Sequence, residues 1–118
     1  MSDSGRYVKV LAGDGNVVCE RCLYARSPWL RMRGLLGRRE LPAGEGVLLE
    51  PASSIHMLFM RFPIDAVFLD RDRRVKRVVE GLRPWRFAAA WGSRSVLEIA
   101  AGEAAGRGVA AGAQLRIE

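Results

Sequence analysis

The sequence predicts a mainly β fold with one or two short helices (α+β), built as a small open barrel or β-sandwich. Three observations carry this expectation. Short apolar runs recur from end to end, each bounded by Gly, Pro, Asn or Asp, which is the punctuation of strands and turns. The run 64–69 is apolar on both faces, with Ile64, Ala66 and Phe68 on one and Val67 and Leu69 on the other, as in an interior strand. Only residues 28–36 show helical spacing.

Taken in order, residues 7–11 form a short strand, and Gly13-Asp14-Gly15-Asn16 supplies the positive-φ positions of a hairpin turn. Residues 17–24 return as its partner. Ser27 and Pro28 then start a helix as N-cap and first helical residue. Trp29, Met32 and Leu36 lie on one stripe of it, and Gly37 ends it. Gly34 inside that helix costs on the order of 1 kcal/mol relative to Ala, so a close contact is expected there. Residues 42–46 are a loop, and residues 47–50 a strand stopped by Pro51. Strands over 64–69 and 74–79 pair across the polar turn Asp70-Arg71-Asp72-Arg73, the second with the loose alternation of an edge strand. Residues 81–94, with Pro84, Trp85 and Trp91, are expected to be a long irregular connection. A strand over 95–100, a short turn or helix over 102–108 and a last strand over 115–117 complete the chain. A single domain over 1–118, with its core at 7–117, is the natural reading of this length.

The net charge of +6 is unevenly placed. Residues 71–94 carry Arg71, Arg73, Arg74, Lys76, Arg77, Arg83, Arg86 and Arg94 against only Asp72 and Glu80. Such a surface attracts anions, so an accessory interaction protein using the Arg-rich face 71–86 is one reading. No RNA-binding aromatic-and-glycine signature and no helix-turn-helix pattern accompanies the charge, so specific nucleic-acid binding is not expected. No apolar run approaches the roughly 20 residues of a membrane helix. The N-terminus lacks a basic segment followed by an apolar one. A monomeric cytoplasmic protein, off the membrane, is the expectation.

Cys19 and Cys22 form one Cys-x-x-Cys, but with a single histidine in the chain a four-ligand zinc site has no obvious completion. In a regular strand, positions i and i+3 face opposite sides, so the two thiols should diverge and stay reduced. Neither a metal nor a cofactor is expected.

The polar residues that stand out are few. His56 lies among Ile55, Met57, Leu58 and Phe59, and an imidazole can serve as base or ligand near neutral pH. Asp65 opens the interior strand, where a carboxylate needs donors, with Arg31 the first candidate and Arg33 the second. Glu98 sits between Leu97 and Ile99, either on a solvent face or in the same pocket. The candidate ligand-binding pocket is therefore His56, Asp65, Arg31, Ser54 and Glu98, in a non-catalytic domain that takes a small ligand or a partner. The alternative is a small hydrolase- or lyase-type enzyme with His56 as base and Asp65 as its orienter. Met57 and Met60 either join His56 in a soft-metal site or fill gaps in the core. Trp85 and Trp91, beside Arg83 and Arg86, either stack on a sugar or base or close one end of the barrel.

The order of blocks Arg31-Met32-Arg33-Gly34-Leu35-Leu36-Gly37-Arg38, Gly46-Val47-Leu48-Leu49, residues 56–70 and Val96-Leu97-Glu98-Ile99-Ala100-Ala101-Gly102 resembles domain-of-unknown-function family 192. The resemblance covers almost the whole chain and implies a compact β-rich domain with short helices and no established activity. Where many relatives have an aromatic-Met-Lys-Asn-Thr run, this chain reads His56-Met57-Leu58-Phe59-Met60-Arg61. Near the C-terminus the usual Gly-Asp turn is Gly112-Ala113 here.

Overall fold

The computed structural model describes residues 6–27 and 34–118. Their strands are β1 (Arg6–Ala12), β2 (Val17–Ala25), β3 (Glu45–Leu49), β4 (Ser54–His56), β5 (Ile64–Leu69), β6 (Val75–Leu82), β7 (Phe87–Ala89), β8 (Ser95–Ala100) and β9 (Leu115–Ile117). One helical turn, α1 (Glu103–Gly106), precedes β9. Seven strands form a single sheet in the order β6-β5-β8-β3-β2-β1-β9, parallel between β2 and β3 and antiparallel at the other pairings. β4 and β7 make a separate two-stranded ribbon.

The sheet curls into a half-barrel, and its two edges meet at one end. Arg74 bridges to Gln114 there. The Val75 N–H donates to the Ala113 carbonyl at 2.8 Å, and the Leu115 N–H donates to the Arg73 carbonyl at 3.0 Å. This partial closure removes part of the edge that an open sheet leaves unpaired. Because the sheet curls, it has an inner and an outer face, and both are apolar. Val75 from one edge strand and Leu115 from the other share the inner core with Val10, Leu48, Val67 and Leu97. The outer face presents Val47, Leu49, Ile64, Ala66, Phe68 and Val96, covered by Ile55 and Ala88 of the ribbon and by Leu35 and Leu41. Each such fully buried large side chain stabilises the fold by about 1.5–3 kcal/mol. Two-sided burial explains why β5 reads as apolar throughout.

The strands at 64–69, 95–100 and 115–117 stand where the sequence puts them. The connection at 81–94 does not. β6 runs on to Leu82, and β7 pairs with β4 over Ser54–Ala89, Ile55–Ala88 and His56–Phe87. Both ribbon strands are only 3 residues long, too short for alternation to register. Of the helix expected over 28–36, residues 28–33 lie outside the described residues, and Gly34–Gly37 form turns. Trp85 and Trp91 do not close a barrel end, since both are exposed.

The two thiols do not diverge. Val8 pairs with Cys22 and Val10 with Cys19, so one residue of β1 opposes two of β2. That bulge turns Glu20 and Arg21 outward and puts both cysteines on the inner face, where each is completely buried. Strand parity failed because one extra residue resets it. The Cys19 Sγ also lies beside Gly46, where a Cβ would meet the Glu98 carbonyl oxygen at 2.5 Å. Only glycine allows β3 to approach β8 and the thiol so closely.

Tyr24, Glu50 and Arg73 tie β2, the end of β3 and the β5–β6 turn together. The Tyr24 hydroxyl donates to Glu50, and Arg73 Nη2 reaches Tyr24 Oη at 3.0 Å and Glu50 Oε2 at 3.4 Å. Part of the arginine-rich segment is thus committed within the fold. Arg77 Nη1 likewise donates to the Ala89 carbonyl at 2.6 Å, fixing the ribbon to β6.

Candidate functional site: a cavity under the outer layer

Asp65 is wholly buried, and three backbone amides satisfy it. Oδ1 accepts from the Gly81 N–H at 2.8 Å, and Oδ2 accepts from Gly102 at 3.0 Å and Ala104 at 2.9 Å. The local sequence builds this arrangement. Ile64 pairs with Leu82 and Ala66 with Val79, so Asp65 faces a bulge whose Gly81 adopts φ 62°. Gly102 at φ 93° starts α1 and aims its own amide and that of Ala104 at the carboxylate. Asp65 alternates with Ala66 and Phe68 and therefore lies on the inner face with Val67 and Leu69.

His56 belongs to the ribbon on the outer face. The expected pocket shared by His56 and Asp65 does not form, because the sheet stands between them. The same parity removes Asp65 as orienter for a His56 base. Arg31 lies outside the described residues.

The outer face does contain a cavity, of about 410 Å3, between the sheet and the layer formed by β4 and residues 34–36. Ser54, His56 and Glu98 line it together, which unites three of the five sequence candidates. Its walls are mostly apolar: Leu35, Leu49, Ile55, Met57 and Met60. Pro51, joined to Glu50 by a cis peptide bond, and Ala52 complete one rim. Its volume falls in the range of roughly 300–1,000 Å3 typical of small-molecule sites.

Glu98 is the exceptional member. Its ladder neighbours are Val47 on β3 and Ala66 on β5, both fully or almost fully buried. The residue is 6% exposed, and among the described residues no donor reaches its carboxyl. Burial alone pushes it up to about 7, from an ordinary 4.5. At neutral pH it is therefore poised between a charged acceptor and a neutral donor. His56 and Ser54, by contrast, are exposed at the mouth.

Sequence reasoning missed the cavity role of Met57, Met60 and the turn at 34–36. It also passed over the exposure of Phe59 and Phe87. Methionines spaced three apart gave a usable signal, since the Met60 N–H donates to the Met57 carbonyl at 3.2 Å in a turn.

Comparison with known proteins agrees with this architecture. A Novosphingobium aromaticivorans protein of unknown function is 30% identical, with a TM-score of 0.78 over 93% of this chain and 83% of that one. A Sinorhizobium meliloti protein named a "putative transcription regulator" is 22% identical, with a TM-score of 0.85 over 99% of this chain and 98% of that one, a likeness of fold. No curated protein matches. The model of the DUF192 family, described as an uncharacterized ACR, matches residues 10–117. The chain belongs to domain-of-unknown-function family 192.

Proposed function

We propose that the protein is a non-catalytic ligand-binding β domain whose outer cavity takes a small molecule. The observation that carries this reading is the Glu98 carboxyl on the cavity wall, 6% exposed and without a donor among the described residues. A buried polar group without a partner is costly, and a ligand that supplies the missing donor repays that cost. The mixture of apolar walls with a few polar groups is the usual composition of such sites. His56 and Ser54 at the mouth add polar contacts of their own. The reading is tested by a thermal-shift screen of small metabolites against the wild type and a cavity-blocked variant, Ala52→Trp. A compound that raises the wild-type melting temperature and leaves the variant unmoved supports it. A screen with no such compound counts against it.

One observation favours partner binding as a second reading. Phe59, Trp85 and Phe87 are 71%, 59% and 67% exposed, and the first two rings meet edge to face at 5.0 Å. Both Phe59 and Trp85 adopt positive φ, 65° and 71°, which is strained for an aromatic residue. Exposed apolar patches of this kind are commonly interaction surfaces. Under this reading Phe59→Ser with Trp85→Ser abolishes capture of a protein partner and leaves the fold intact, as monitored by circular dichroism. A monomeric, cytoplasmic protein is part of both readings, and size-exclusion chromatography checks the oligomeric state.

A further inference from the structure

We infer that the ligand of the outer cavity is an organic cation, a protonated amine on a small apolar body, with its ammonium on the Glu98 carboxylate. This rests on the ligand-binding reading and narrows it to one chemical class. Three features of the cavity converge on it. First, among the described residues the lining contains one carboxylate, Glu98, and no Lys or Arg. Second, Glu98 is 6% exposed and lies between Val47 and Ala66, where a charge without a counter-charge is unfavourable. An ammonium supplies up to three donors as well as the opposite charge, whereas an alcohol or amide leaves the carboxylate's charge uncompensated. Third, Met57 and Met60 offer polarisable, adaptable thioethers that accommodate an apolar body of loosely defined shape.

The surface charge works in the other direction. The chain carries a net +6, which disfavours the approach of cations from a distance. Selection therefore occurs within the cavity, through contact with Glu98, and not through long-range steering. A ligand that binds this way has an affinity set by the head group more than by ionic strength.

The test compares n-hexylammonium, n-hexanol and hexanoate, which share one apolar chain and differ in head group, by isothermal calorimetry on the 118-residue chain. For the wild type, n-hexylammonium is expected to bind at least about tenfold more tightly than n-hexanol, the worth of one charge-assisted hydrogen bond, with hexanoate the weakest. Glu98→Gln should bring the first two within about twofold of each other, and Ala52→Trp should abolish binding of all three. The head-group order in the wild type stands as evidence even if Glu98→Gln does not fold. Equal binding of n-hexanol and n-hexylammonium, or a preference for hexanoate, overturns the cation inference while leaving the cavity a ligand site. Binding of n-hexylammonium that survives Ala52→Trp places it on surface carboxylates and also overturns the inference. Failure of all three probes to bind overturns the inference, and the ligand-binding reading is then decided by the metabolite screen.

Discussion

Replacing Glu98 with glutamine should remove one segment of the protein's pH–stability curve. The carboxyl titrates at about 7 in the folded chain and at the ordinary 4.5 once unfolded. Between those values the folded state holds a proton that the unfolded state has released. Folding then takes up a proton, and stability falls as the pH rises. The contribution is fully present below 4.5 and lost as the pH climbs through about 7. At about 1.4 kcal/mol per pH unit, that interval corresponds to roughly 3 kcal/mol. Urea denaturation at a series of pH values measures it directly. Between the lower and upper ends of the interval, the wild type should lose roughly 3 kcal/mol more than Glu98→Gln. A constant cost of burying the amide shifts the variant's curve vertically and leaves its shape unchanged. Titration of Glu20 and Asp70, both held below the ordinary carboxylate range by hydrogen bonds, affects the two proteins alike. Parallel curves across the whole interval would mean that the folded chain holds no extra proton on Glu98.

Asp65→Ala strips the acceptor from three amides and should destabilise the fold by about 3 kcal/mol or more, with binding in the outer cavity unchanged. A loss under about 1 kcal/mol by urea denaturation would contradict that role. Cys19 and Cys22 are both completely buried, so a thiol reagent should label neither in the native protein and both after unfolding in urea. Prompt labelling of the native protein would show that the bulge opens readily. The arginines of 71–94 should give only weak nucleic-acid binding that fades steeply with salt, and tight binding with sequence preference at physiological salt would contradict this.

The fold was largely legible because its central strands obey simple periodicity. Ile64–Leu69 and Ser95–Ala100 are apolar on both faces, and two-sided burial leaves that trace in any sequence. The ribbon strands β4 and β7 left no trace, since three residues hold barely one alternation and their pairing spans a long loop. The cysteine placement was lost to one bulge residue, which propensity does not announce. For the site, the residue types were readable but their grouping was not. Glu98 and Asp65 are both carboxylates on interior strands, yet Asp65 pairs with Ile99 and Glu98 with Ala66, which sends them to opposite faces. Which face the ribbon covers is a non-local fact, decided where residues 54–56 meet residues 87–89. Glu98 therefore became the centre of the candidate site, and Asp65 became an anchor for α1 and the β6 bulge.

Among the described residues Glu98 is a buried carboxyl without a donor, facing an open cavity. Carbon-13 NMR of its side-chain carboxyl, titrated against pH in the ligand-free protein and assigned with Glu98→Gln, tests this most directly. A midpoint near 7 is expected, moving downward when n-hexylammonium is present in saturating amount. A midpoint at the ordinary 4.5, unmoved by the amine, would mean that the carboxyl is solvated or already paired and that no amine binds on it.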